Sequence, residues 1–272
     1  MSIITSIIEA AEQISRDYDA IFLSTGTQPF MRARDRGEAI PVDAIRQITN
    51  QDVLAAYQEF QSDTNIKVLS AARKTDRRGA LAVSVRGKGR YRVDWYHQRS
   101  SLSMTIRPVP FDKGPWLALW PFDQLREAYR NRILPRLSQG ELLWVTSEHA
   151  LLAHQFTNAL TDECSAANRF AKVVRIDEPA RHLHRSSENC LIEQIEVGVD
   201  CESLMDATRA IATSAADGVI MDVSWADSIR VQAAIDGLRD EGMWVIAWAP
   251  TRHVKETSPR IVVGANSIEV TP

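Results

Sequence analysis

The sequence predicts an α/β chain in two parts, an α+β module over residues 1–110 and a parallel-sheet core over residues 111–272. Three observations predict it. Antiparallel alternation is concentrated between Leu81 and Arg107. Pro108, Pro110, Gly114 and Pro115 then break the pattern and read as a linker. Beyond them, short apolar runs alternate with amphipathic stretches long enough to be helices, the grammar of βαβ units.

Within the first part, Ile3, Ile4, Ile7, Ile8, Ala11 and Ile14 recur at helical spacing, with Ser2 or Thr5 as a cap. Asp19–Ser24 reads as a strand, and Gly26 with Pro29 as a turn before Met31. A second helix starts at Asn50 and Asp52 and runs to Phe60. Leu81–Arg86 alternates, Gly87-Lys88-Gly89 turns, and Arg90–Gln98 returns with Tyr91, Val93 and Trp95 on one face. Ser101–Arg107 is a further strand.

In the second part Phe122–Leu137 is helical, with Pro135 bending or ending it. Leu142–Thr146, Lys172–Ile176, Val219–Val223 and Met243–Ala249 are apolar strands. Helices are expected at 150–161, 204–215 and 227–241.

Composition excludes several function classes. Hydrophobic residues make up 44% and charged residues 25% of the 272, so a core of ordinary size is available. A net charge of −3 gives no general attraction to nucleic acid or to anionic lipid. Cys164, Cys190 and Cys201 have no metal-ligand spacing and read as reduced thiols. The first residues lack a basic start and an unbroken apolar run, so no signal peptide is expected. No run is long enough to span a bilayer. Together these predict a cytoplasmic protein.

Particular motifs go further. Arg90-Tyr91-Arg92-Val93-Asp94-Trp95-Tyr96-His97-Gln98-Arg99 resembles the R-[FY]-R-V-N-x-[FY]-x-Q-R signature of type IV pilus retraction and secretion motor ATPases. Ile106-Arg107-Pro108-Val109-Pro110 is similar to that family's I-R-x-I-P, and Leu23-Ser24 with Gly26 and Pro29 to its opening motif. Gln194-Ile195-Glu196-Val197-Gly198-Val199-Asp200, with Ser203-Leu204 and Arg209-Ala210, resembles Q-R-E-V-G-x-D-x-x-S-F…L-R-A. The resemblance runs from about residue 17 to 250. It implies a PAS-like N-terminal module followed by a RecA-like P-loop-type core.

The same resemblance shows which residues depart from the family. A P-loop should follow Leu142–Thr146, its glycines cradling phosphates, its Lys reaching the β- and γ-phosphates and its Ser/Thr holding Mg²⁺. Ser147, Glu148, His149, Ala150, Leu151, Leu152, Ala153 and His154 stand there instead, with Ala153 in place of the Lys and no glycine. The family's I-E-D-P box reads Ile176-Asp177-Glu178-Pro179, acidic but in swapped order. Val223 falls where the catalytic Glu belongs, with Asp222 beside it, and Pro250 replaces the His of A-T-L-H-T. Only 21 residues follow Thr251, so the family's helical continuation is expected to be missing or replaced.

These departures imply a catalytically inactive member: no catalytic residue, no cofactor, no metal and a degenerate loop. Its work would be to bind, regulate or scaffold an active motor ATPase or an inner-membrane assembly platform. It would act as a homo- or hetero-oligomer, at the inner membrane through partners only. Arg90, Arg92 and Arg99 are candidates for an interface or for action in trans on a neighbour's nucleotide; the ordinary reading is a solvated or locally paired strand face. Asp177, Glu178 and Asp222 form a residual acidic box, which a divergent ATP-binding or slowly hydrolysing enzyme would use.

His182 and His184, flanked by Arg181 and Arg185, read as a solvated H-x-H loop rather than a metal site, and His149 and His154 are poorly spaced as ligands. Among seven tryptophans, Trp144 and Trp244 are expected in the core, and Trp116, Trp120 and Trp225 on a partner surface. Trp225 and Trp248 fall near the former catalytic edge, where large apolar groups could fill the nucleotide's space.

Overall fold

The computed structural model describes residues 3–33, 39–62, 78–85, 87–98, 101–109, 122–167, 169–178, 180–255, 257–264 and 267–271. Arg99, Trp116 and Trp120 lie outside the described residues. Contacts divide the chain into two units, Met1–Val109 and Pro110–Pro272.

The apolar stripe of the N-terminus forms α1 (Ile3–Ile14), burying Ile4, Ile7, Ile8 and Ala11. The chain continues through β1 (Tyr18–Ser24), β2 (Phe30–Ala33), β3 (Ala39–Pro41) and α2 (Asn50–Ser62). Thr49 and Asp52 start α2 with a reciprocal capping box: each side chain accepts from the other's backbone N–H, at 3.1 and 2.8 Å. Then β4 (Arg78–Val85), β5 (Gly89–Gln98) and β6 (Ser101–Val109) complete a six-stranded antiparallel sheet ordered β3-β2-β1-β6-β5-β4. The β4–β5 turn needs positive φ at Gly87 (76°) and Gly89 (124°), which only glycine adopts without strain.

Alternation on β5 buries Tyr91, Val93 and Trp95 in a core with Ile21, Leu23, Met31, Met104, Ile106 and α1. On the other face Arg92 and Arg107 are direct cross-strand partners. Asp94 sits between them and accepts from both, at 2.9 and 2.8 Å, which relieves the like-charge pairing.

The second unit opens with α3 (Phe122–Ala128), a π-helical turn (Tyr129–Ile133) and α4 (Leu134–Leu137). Pro135 does not end this helix. Leu134 N–H reaches back five residues to Tyr129 O, so the ladder shifts ahead of the missing proline donor. Next come β7 (Leu142–Thr146), α5 (Ala150–Ala166), β8 (Lys172–Asp177), β9 (Leu191–Glu196), α6 (Leu204–Ala212), β10 (Gly218–Asp222), α7 (Ser228–Asp240), β11 (Trp244–Trp248), a 3-10 turn (Thr251–His253), β12 (Arg260–Val263) and β13 (Ile268–Thr271). α6 stops at Ala212, short of the expected residue 215, because Ala215 turns into the left-handed region at φ 53°.

The strands form one sheet ordered β13-β12-β7-β11-β10-β8-β9, parallel throughout except for the antiparallel edge strand β13. This is the mixed α/β architecture with a parallel sheet that the alternating runs predict. α3, α4 and α5 pack on one face, against Leu143, Val145, Ile220 and Ile246. α6 and α7 cover the other face, against Val174, Val219, Met221 and Val245. Trp144 and Trp244 are both buried, and Trp244 lies against Gly218, where any β-carbon would meet the indole.

Candidate functional site

Open parallel sheets bind ligands beyond the C-terminal ends of their strands. At that edge α5 follows β7, Asp177 ends β8 and Asp222 ends β10. Residues alternate along a strand, so Arg175 and Asp177 share a face, as do Ile220 and Asp222. α5 presents His154, Thr157 and Thr161 over the same region, on successive turns.

The β7–α5 junction contains three connecting residues, Ser147, Glu148 and His149. Helix geometry begins at Ala150, and the N–H groups of Leu152 and Ala153 both donate to His149 O. Ser147 Oγ donates to Val263 O of β12 at 2.7 Å and accepts from His149 N–H at 3.1 Å. Glu148, His149 and Ala150 are exposed, whereas Ala153 is fully buried in the core beneath α5. A phosphate cradle requires successive N–H groups converging on one point outside the chain. Here Leu152 and Ala153 turn theirs into the first helical turn.

A buried polar network lies beneath α5. Arg175 has no exposed surface and its guanidinium contacts Asp177 through Nε at 2.9 Å and through Nη2 at 2.8 Å. Its remaining donors reach Thr161 Oγ1 at 3.0 Å and Thr157 Oγ1 at 3.3 Å. Gln194 of β9 donates to Asp177 Oδ2 at 2.9 Å. Burial alone would raise the Asp177 pKa, but the charge and hydrogen bonds of Arg175 hold its carboxyl below the usual range. Asp177 is thus ionised and engaged within the chain, while Glu178 beside it is exposed.

Asp222 is in a different state. It is buried, and burial pushes its carboxyl up to about 6, against two hydrogen bonds from Ser224 to Oδ1. His154 Nδ1 lies 3.8 Å from Asp222 Oδ2, beyond hydrogen-bond range. Burial and then the Arg175 charge push His154 down to about 3, leaving a neutral ring near pH 7 whose nitrogens make no hydrogen bond. The ring meets Trp248 edge-on, with centroids 6.4 Å apart. Trp225 donates from Nε1 to Asp222 O at 2.8 Å while keeping 37% of its surface exposed. A cleft of about 770 Å³ opens on the α7 face, bordered by Trp144, Ile229, Val231, His253 and Lys255.

Sequence-predicted site residues therefore separate. His154, Asp177 and Asp222 gather at one sheet edge; Arg90 and Arg92 belong to the antiparallel sheet of the other unit. Arg92 is paired with Asp94, and Arg90 is half-buried. His182 and His184 correct the solvated-loop expectation. His182 is 2% exposed and the His184 side chain 1%, because the β8–β9 connection folds back onto α5, where Asp162 Oδ1 meets His184 Nδ1 at 2.9 Å. Burial, and then the neighbouring His184, push His182 down to about 4. In sequence Arg175, Thr157 and Thr161 carry no motif and Gln194 only opens a family motif, although an Arg inside the apolar run Val173–Ile176, two residues before Asp177, signals a same-face ion pair.

No protein-family model matches the chain. It is 24% identical over 233 residues to the uncharacterised protein YggR of Escherichia coli, covering 85% of this chain and 64% of that one. It is 22% identical over 248 residues to the type IV pilus ATPase PilU of Pseudomonas aeruginosa, covering 86% and 54%. The chain thus spans less than two thirds of the length of either relative. Among solved structures, that of the pilus retraction motor PilT with bound ADP superposes with a TM-score of 0.67 at 20% identity, covering 90% of this chain and 66% of that one. No helix among the described residues is long and apolar enough to cross a membrane. The chain shares the fold of the type IV pilus motor ATPases, the family that its sequence motifs resemble.

Proposed function

We propose that the chain is a non-catalytic relative of these motors, one that binds, regulates or scaffolds a motor ATPase or assembly platform of a type IV pilus or secretion system. The observation that carries this reading is the β7–α5 junction. Its residues 147–154 include no glycine, its helix starts at Ala150, and Ala153, in the place of the phosphate-binding Lys, is buried in the core. A triphosphate would meet the exposed carboxylate of Glu148 with no lysine to offset it. Asp177, one of the three residues of the residual acidic box, is engaged by Arg175 and Gln194.

The exposed side chains of Ile229 and Trp225 support a partner surface on the α7 side of the sheet edge, since clustered exposed apolar groups mark interaction sites. Arg90 and Arg92 are the second candidate interface in this reading, with Arg92 half-buried against Asp94. In a mixed ring they would lend charge to a neighbour's nucleotide, as arginine fingers do.

Calorimetric titration with Mg²⁺-ATP and a non-hydrolysable analogue tests the reading. No heat of binding at millimolar nucleotide is expected. Micromolar binding would overturn it in favour of a divergent ATPase using Asp177, Glu178 and Asp222.

A further inference from the structure

The β8–β9 connection carries donors that the ATPase resemblance does not account for. The rings of His182 and His184 lie together, with centroids 4.9 Å apart and planes at 71°, and His184 Nδ1 meets Asp162 of α5. One ring nitrogen of each, together with a carboxylate oxygen of Asp162 on α5, forms a group whose atoms all lie within 4.8 Å of one another. His184 Nε2 is buried and makes no hydrogen bond. A buried donor or acceptor left in that state costs on the order of an ordinary hydrogen bond or more, which calls for a reason.

We propose that Asp162, His182 and His184 bind one divalent transition-metal ion, zinc by preference, which staples the β8–β9 connection to α5. Two imidazoles and one carboxylate are a borderline donor set that suits zinc, with water as the fourth ligand. Zinc with ligands at about 2.0–2.2 Å places its ligand atoms about 3.3–3.6 Å apart. The three donor atoms, all within 4.8 Å of one another, would have to shift by up to about 1.5 Å to reach that spacing.

The backbone around them is already held. Ser165 Oγ, one turn along α5, donates to Arg185 O at 3.3 Å, and Ser187 Oγ donates to Ser165 O at 2.8 Å. Gln194 Nε2 donates to His182 O at 2.8 Å. Hydrogen bonds of this kind orient ligands before the metal arrives. The nearby guanidinium of Arg175 does not oppose a cation strongly, because Asp177 neutralises it at 2.8 Å. The site is independent of whether the chain hydrolyses ATP.

The test is titration of the chelator-treated full chain with ZnCl₂, alongside the absorption spectrum of its Co²⁺ form. One equivalent of zinc bound at micromolar affinity or tighter, with intense tetrahedral Co²⁺ bands, is expected. H182A and H184A should each weaken binding by about tenfold or more, while H149A, at an exposed histidine, should not. D162N keeps an acceptor for His184 and so preserves the fold, yet it should also lose affinity. Absence of binding at 100-fold excess zinc, or binding unchanged in both D162N and H184A, would overturn the assignment.

Discussion

Asp222 is the sharpest test of how the sheet edge is built. The residue is 4% exposed, and burial raises its carboxyl to about 6, against an ordinary 3.8. In the folded chain the proton is therefore held more tightly than in the unfolded chain. Between pH 4 and 6 the native state binds more protons, so by linkage Asp222 makes stability fall as pH rises. A rise from 3.8 to about 6, at about 1.36 kcal/mol per pH unit, is a destabilisation of about 3 kcal/mol at pH 7.5. D222N removes that charge and keeps the shape. Its amide oxygen can still accept from the N–H and hydroxyl of Ser224, and its NH₂ group faces His154 Nδ1. Urea unfolding of wild type and D222N at matched pH values is the assay. His154 is present in both proteins, so its own acid destabilisation cancels in the difference. D222N should be the more stable by about 1.5–3 kcal/mol at pH 7.5, and the two should converge near pH 4. A difference that stays flat with pH, or a D222N that is less stable at pH 7.5, would refute the argument and show that an ionised Asp222 is compensated.

Two further substitutions probe the rest of the edge. R175M should cost about 3–5 kcal/mol in the same assay, because it leaves the Asp177 carboxylate buried with only Gln194 for compensation; the double variant R175M/D177L should recover much of that loss. A153K, which restores the lysine of the family's motif, should destabilise by roughly 3 kcal/mol or more, since that side chain points into the core. It should not gain nucleotide binding by calorimetry.

The legibility of the molecule follows the range of the interactions involved. Strong periodic signals were readable: the isoleucine stripe of α1, the alternation of β5 and the apolar runs of β7, β8, β10 and β11 all lie where pattern placed them, within a residue or two. Short edge strands were not. β2 and β3 have four and three residues, too few for an alternating pattern to stand out, even though their partners lie nearby in the chain. At the site, missing glycines could be read directly, because backbone conformation is a local property. The burial of the H-x-H loop is not legible, because its flanking arginines point to solvent. Its burial depends on Asp162 and Ser165, about twenty residues away on α5.

Arg175 shows why the edge has to be judged as a unit. Acidity at Asp177 reads, in sequence, as residual capacity to hold a cation. In three dimensions the same carboxylate has a guanidinium at 2.8 Å and an amide donor at 2.9 Å. The Thr157 and Thr161 hydroxyls, from the helix that follows β7, complete the guanidinium's contacts. A buried cation fixed this way presents no donor to an incoming phosphate without first giving up Asp177. Removing an established partner from a buried charge costs several kcal/mol, comparable to the whole free energy of a millimolar ligand. On the proposed reading Arg175 would close the edge to triphosphates even with a glycine-rich loop in place, and R175M/D177L is the background in which such a loop should be tried first.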